Sequence, residues 1–227
     1  MISSYDRTGR QWINFCNKNI TAGPTSSSAP LLSFPGQSVR KARQLQRLLN
    51  IQPGDHLVDI GCGNGRVPIG FAMDNFHIQY TGVEVIKGCV DFCKLAFEDA
   101  DEFTFHHLDI RNSRYNPHGK IQSKITYPIE SDYADFVIFS SVFSHIVDLD
   151  QISQMLDEAY RILKPDAICY CTWFLSPPNK ISTKLIRVVH PEETYRNLIS
   201  KWHLIKEFYG NTRRRHDQRR TILQKGY

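Results

Sequence analysis

Leu57-Val58-Asp59-Ile60-Gly61-Cys62-Gly63-Asn64-Gly65-Arg66 carries an apolar run through three glycines at alternate positions and into a helical pattern. Glycine is needed where a turn takes positive φ or where a ligand must lie against the main chain. The amides that open the following helix then face an anionic group. In an open α/β sheet this crevice, at the carboxyl ends of the strands, is where ligands bind. Single residues exclude two other nucleotide loops. A dinucleotide fingerprint needs glycine where Arg66 stands, and a Walker loop needs Lys and Ser/Thr after its second glycine. The spacing is D-x-G-x-G-x-G, and Glu84 lies nineteen residues past Gly65, at the end of the next apolar run. A carboxylate there can accept from both hydroxyls of a ribose. The alternative for the same residues is a structural turn with an incidental glutamate.

Outward from this loop the chain alternates between two periodicities. Apolar runs at 56–60, 77–85, 103–110, 134–141 and 167–174 read as strands, and 66–75, 86–99 and 151–163 as helices, the last ended by Lys164-Pro165. Strands separated by helices of 10–15 residues argue for βαβ units and a parallel sheet. A short helix opened by Pro191-Glu192-Glu193 and strands at 204–209 and 221–224 close the pattern as a hairpin-like addition. Before the glycine loop, 21–38 is rich in Ser, Pro and Gly and reads as a loop, whereas 39–50 has the spacing of an amphipathic helix. Segments 111–133 and 175–190 read as long irregular connections. The expectation is an α/β fold: a doubly wound, Rossmann-like, seven-stranded, mostly parallel sheet with an antiparallel last strand and an N-terminal helical cap. Residues 1–50 form the arm and cap helix, and 51–227 the ligand-binding domain.

Composition agrees with a folded chain. Of 227 residues, 41% are hydrophobic and 22% charged, which excludes disorder of the whole chain. No apolar run approaches the roughly 20 residues that span a bilayer, and the start is polar, so neither a membrane span nor a signal peptide is expected. Six cysteines without a CxxC pair read as reduced thiols of a cytoplasmic protein. The net charge of +5 is uneven: residues 51–175 carry −9 between flanks of +6 and +8. Such flanks suit either a solvated face or an anionic partner, and charge by itself does not choose between them.

The glycine loop, Glu84 and the segments after them resemble the class I S-adenosylmethionine-dependent methyltransferase family, over about residues 50–175. Phe105-His106-His107-Leu108-Asp109-Ile110 ends the third strand with an acid. In the family that acid binds the adenine amino group, and the next amide contacts the ring. Asp135-Phe136-Val137-Ile138-Phe139-Ser140-Ser141 resembles the fourth strand, beside the methionine part of the cofactor. Arg161-Ile162-Leu163-Lys164-Pro165-Asp166 resembles the family's R-x-L-K-P-G exit, with Asp166 replacing glycine. The resemblance implies S-adenosylmethionine as cofactor, leaving as S-adenosylhomocysteine. It implies Asp59, Gly61, Cys62, Gly63, Gly65, Glu84, Val85, Asp109, Ile110, Ser140 and Ser141 as the residues around it.

For the acceptor, Ser141-Val142-Phe143-Ser144-His145 resembles the S-V-F-[ST]-H segment of a subgroup met in polysaccharide, glycolipid and secondary-metabolite pathways. The implied reaction is O-methylation of a sugar or glycan hydroxyl, a deoxyhexose among the candidates, with His145 as general base. The other reading of His145 is a histidine that only packs or hydrogen-bonds within the cofactor pocket. The pathway context implies association with, or origin within, a larger glycan-biosynthesis enzyme. Other small metabolites and RNA are the rival acceptors. Ser140-Ser141-Val142-Phe143 lacks the [DN]-P-P-[YF] of amino-methylating nucleic-acid enzymes, and Arg213 to Arg215 have no interleaved stacking platform, which disfavours nucleic acid. No metal is expected, because acidic ligands are missing after the fourth and fifth strands. Asp148 and Asp150 read as the opening of the next helix.

Overall fold

The computed structural model describes residues 3–20, 34–121, 124–176, 188–209 and 217–226. Residues 21–33 of the loop expected at 21–38, most of the connection after the fifth strand and the arginines at 213–215 lie outside the described residues, whereas 34–38 are helical and not loop. The chain divides into two compact units, Met1–Lys120 and Ile121–Tyr227.

The first unit holds helices α1 (Gly9–Asn19), α2 (Phe34–Leu49), α3 (Arg66–Met73) and α4 (Lys87–Ala96), with strands β1 (His56–Ile60), β2 (Gln79–Glu84) and β3 (Phe103–His107). The strands lie in the order β3-β2-β1, all parallel, with Asp59 opposite Gly82 and Glu84 opposite His107. β1 and β2 are buried almost throughout, as expected of strands covered on both faces. Helix α2 begins at Phe34, earlier than expected, because Pro35 is tolerated in a helix's first turn. It packs so tightly on α3 that a Cβ at Gly70 would stand 2.2 Å from the Ser38 carbonyl oxygen. Helix α1, which periodicity did not reveal, opens with a reciprocal cap between Thr8 and Gln11. Its Trp12 and Phe15 meet Phe97 and Phe92 at 5.8 and 5.7 Å, and Arg7 donates to the Ala96 carbonyl at 2.6 Å.

The second unit holds β4 (Ala134–Phe139), a single 3₁₀ turn (Phe143–His145), α5 (Leu149–Ile162), β5 (Leu163–Ser176), β6 (His190–Pro191), α6 (Glu192–Leu198), β7 (His203–Phe208) and β8 (Asp217–Gln224). The order is β4-β5-β8-β7, with β6 beside the end of β5. β4 and β5 are parallel, while β8 runs antiparallel to both β5 and β7. The antiparallel last strand is therefore as read from sequence. The two-residue β6 raises the strand count among the described residues to eight rather than seven. Lys164-Pro165 ends α5 as expected but lies within β5, where a register shift accommodates a residue without an N–H. Asp166 takes φ 61°, the left-handed geometry that the family's glycine would supply. Asp148 caps α5 by accepting from the amides of Asp150 and Gln151. Pro191 precedes α6, whose first turn carries Glu192 and Glu193.

Candidate active site

In the first unit β1 delivers the chain into a loop whose glycines all take positive φ: 78° at Gly61, 56° at Gly63 and 69° at Gly65. The Gly61 N–H donates to the Val83 carbonyl at 2.7 Å, which holds the loop against β2. A Cβ at Gly63 would meet nothing within 4 Å, so the crown of the loop faces open space. Below it the Cys62 side chain is 6% exposed and Gly82 leaves room for it, since a Cβ there would stand 2.8 Å from its sulfur. The hydrogen bond to Cys93 and burial push the Cys62 thiol well above its ordinary range, so it is a packed thiol and not a nucleophile.

Glu84 closes β2 beside this loop. One carboxylate oxygen accepts from the Gly63 N–H at 2.8 Å, and the other from the amides of Val85 and Ile86 at 2.7 and 2.9 Å. Burial raises its pKa, opposed by those three amides. Asp59, from β1, accepts from the Tyr80 hydroxyl at 2.8 Å through Oδ2, whereas its Oδ1 has no hydrogen-bond partner among the described residues. Burial pushes the Asp59 carboxyl up to about 7, against the pull of Tyr80 and Lys41.

Beyond β3, Leu108 donates to the Glu84 carbonyl at 3.0 Å, which keeps Asp109 near the end of β2. The irregular segment after it folds back on itself: Asn112 and Asn116 exchange backbone hydrogen bonds at 2.9 and 3.0 Å. Asn116 Nδ2 donates to Asp109 Oδ1 at 2.8 Å, which lowers the Asp109 pKa and fixes that carboxylate. The Ile110 N–H, implied by resemblance as a ring contact, donates here to the Leu108 carbonyl at 2.7 Å. Val85 shares its amide with Glu84 and its carbonyl with the His107 ring, at 3.1 Å.

The second unit gathers Ser140, Ser141 and His145 where β4 ends. Ser141 takes φ 66°, an unusual geometry for serine, and its N–H donates to the Thr172 hydroxyl at 2.6 Å. Ser144 Oγ donates back to the Ser141 carbonyl at 3.1 Å, and the His145 N–H to the Val142 carbonyl at 2.9 Å. The His145 ring is half-buried. His190 lies behind the turn, 3% exposed, with Nε2 3.1 Å from the Phe143 carbonyl. That nitrogen is therefore the donor, and burial lowers the ring's pKa, so His190 is a neutral support for the turn. Tyr80, Asn116, Thr172 and His190 were not singled out from sequence for these supporting roles. Only the Asn112/Asn116 pair left a local signal, two asparagines flanking a turn.

A family model described as a methyltransferase domain matches residues 58–171, half of the chain, from within β1 to within β5. The chain belongs to this methyltransferase family. It is a class I S-adenosylmethionine-dependent methyltransferase.

Solved structures share the methyltransferase's fold at low identity. An S-adenosylmethionine-dependent methyltransferase from Methanosarcina mazei is 16% identical, with 78% of this chain and 94% of that chain covered and a TM-score of 0.57. Geranyl diphosphate C-methyltransferase from Streptomyces coelicolor A3(2), solved with Mg²⁺, geranyl diphosphate and S-adenosyl-L-homocysteine, is 12% identical. That match covers 98% of each chain with a TM-score of 0.63. The [4+2]-cyclase SpnF is also 12% identical, with 99% and 96% covered and a TM-score of 0.66.

The methyltransferase's own residues fit its cofactor. A buried carboxylate oxygen without a partner at Asp59 and an open loop crown at Gly63 are what a cationic amino acid and a close-lying ligand require. Among the described residues no group of three or more His, Cys, Asp or Glu side chains is placed to hold a metal ion. Nor is any described helix long and apolar enough to cross a membrane.

Proposed function

We propose that this methyltransferase methylates a hydroxyl of a sugar or glycan, with His145 as the general base. Asp59, Gly61, Cys62, Gly63, Gly65, Glu84, Val85, Asp109 and Ile110 hold the amino acid, ribose and adenine of S-adenosylmethionine. Ser140 and Ser141 hold its methionine part. When bound, the cofactor supplies a methyl group on a sulfonium. A ring nitrogen of His145 would take the acceptor hydroxyl's proton as its oxygen accepts that methyl group, with S-adenosylhomocysteine as the leaving group. Holding the reactants ~3–3.5 Å apart supplies much of the rate, and a placed base contributes roughly 10²–10⁴-fold.

The observation that carries this reading is the turn itself. The half-buried His145 lies four residues past a strained Ser141, and Thr172, Ser144 and His190 fix the segment between them by hydrogen bonds. So much support for one short turn suits a group that must be held still for catalysis. Cytoplasmic residence and association with a larger glycan-biosynthesis enzyme belong to the same reading, the former supported by six free, buried cysteines.

Product mass spectrometry after offering methyl-labelled cofactor to panels of glycosides, other small metabolites and RNA tests it. Label on a sugar oxygen supports the reading. Label on carbon, on nitrogen or on RNA overturns the acceptor class.

A further inference from the structure

Tyr80 and Asp59 stand on the adjacent strands β2 and β1, and their side chains meet in the interior of the first unit. Tyr80 is 1% exposed and Asp59 2%, and the hydroxyl donates to Oδ2 at 2.8 Å. The other oxygen, Oδ1, has no hydrogen-bond partner among the described residues. A carboxylate buried with one oxygen unserved is costly, so folding alone does not account for it. The ring of Tyr80 packs on Phe103 and Phe105 at 5.8 Å each, contacts that a phenylalanine would keep. What the hydroxyl adds is therefore the hold on Asp59.

We propose that Tyr80 is a positioning residue for the cofactor: its hydroxyl engages Oδ2 of Asp59 and so presents Oδ1 to the ammonium group of the cofactor's amino-acid end. This rests on the reading of Asp59 as a cofactor ligand. The groups facing Asp59 are Tyr80 and Glu84 from β2, Lys41 from α2, and Cys62 in the glycine loop. Burial raises the Asp59 carboxyl, Tyr80 and Lys41 lower it, and Glu84 raises it again. Without the hydroxyl the carboxyl holds its proton to higher pH, and a protonated carboxyl repels no cation but attracts it far less.

The test is calorimetric binding of S-adenosylhomocysteine, which carries the ammonium without the sulfonium, to the full chain and to Tyr80→Phe. A hydroxyl–carboxylate bond is worth about one pKa unit, so the variant should bind roughly fivefold more weakly near pH 7 and within about twofold near pH 8.5. An equal loss at every pH, or no loss near pH 7, overturns the proposal. Should Tyr80→Phe not fold, carbon-13 titration of the wild-type Asp59 carboxyl, assigned with Asp59→Asn, decides. A titration that shifts the Tyr80 hydroxyl resonance together with the carboxyl and moves down on ligand binding supports the proposal, and one that leaves the Tyr80 resonance unmoved overturns it. A wild-type chain that binds no S-adenosylhomocysteine at any pH would instead overturn the cofactor reading on which the proposal stands.

Discussion

The Glu84 carboxylate accepts the Gly63 N–H at 2.8 Å, which ties the end of β2 to the crown of the glycine loop. Its second oxygen serves the amides of Val85 and Ile86. Hydrogen bonds to a charged acceptor are worth ~1.5–3 kcal/mol each, though three on one group do not add fully. Glu84→Ala should therefore lower the unfolding midpoint and weaken S-adenosylmethionine binding by about tenfold or more. Calorimetry showing wild-type affinity in the variant removes Glu84 from the cofactor site.

Gly63→Val separates fold from ligand. At φ 56° a β-branched residue is strained by about 1–3 kcal/mol, but its Cβ meets no atom within 4 Å. The variant should fold with a modestly lower melting temperature and lose most of its cofactor affinity, because its side chain would take the space that the proposed site gives to the ligand.

Gly70→Ala should do the reverse. Its Cβ would press on the Ser38 backbone at 2.2 Å, so α2 must move off α3, at a cost of about 1–3 kcal/mol or more. Urea unfolding reads the loss directly, and an unchanged midpoint would show that α2 is held less closely than this.

Asp59 links stability to pH with a definite sign. Its carboxyl lies at about 7 in the folded chain against an ordinary 3.8, so the folded state holds a proton that the unfolded state has released. Its contribution is fully present below about pH 4, declines as pH rises, and is lost above about 7. Asp59→Asn removes the cost of the buried charge. It should stabilise the ligand-free protein at pH 8 by about 1 kcal/mol or more, with the gain shrinking towards pH 4, while cofactor binding weakens. Urea unfolding across that range decides it, and a gain independent of pH would speak against a buried ionised carboxylate.

His145→Ala should lower kcat by roughly 10²-fold or more and leave S-adenosylhomocysteine affinity nearly unchanged. Retained turnover with lost cofactor affinity would make His145 a pocket residue. His190 is a poor substitute, because its Nε2 is committed to the Phe143 carbonyl.

Much of this protein was legible in order along the chain. Strand β1 and its glycines, the acid ending β2, and the antiparallel last strand follow from periodicity and spacing, because a buried parallel strand must be apolar and a tight loop must take positive φ. Helix α1 was not legible, because its burial rests on Trp12 and Cys16 meeting a partner far along the chain. The same holds for the supports of the site. Tyr80 has the apolar pattern of any strand residue until β1 lies beside β2 and brings Asp59 within 2.8 Å of it. Asn116 reads as a turn residue until the chain folds back onto Asp109, and His190 reads as one more histidine until it reaches Phe143. Local pattern determines which residues form strands, helices and loops, because it acts through the few residues on either side. Which buried carboxylate gains a donor and which oxygen is left over depends on register between strands distant in sequence, and only the tertiary structure decides that.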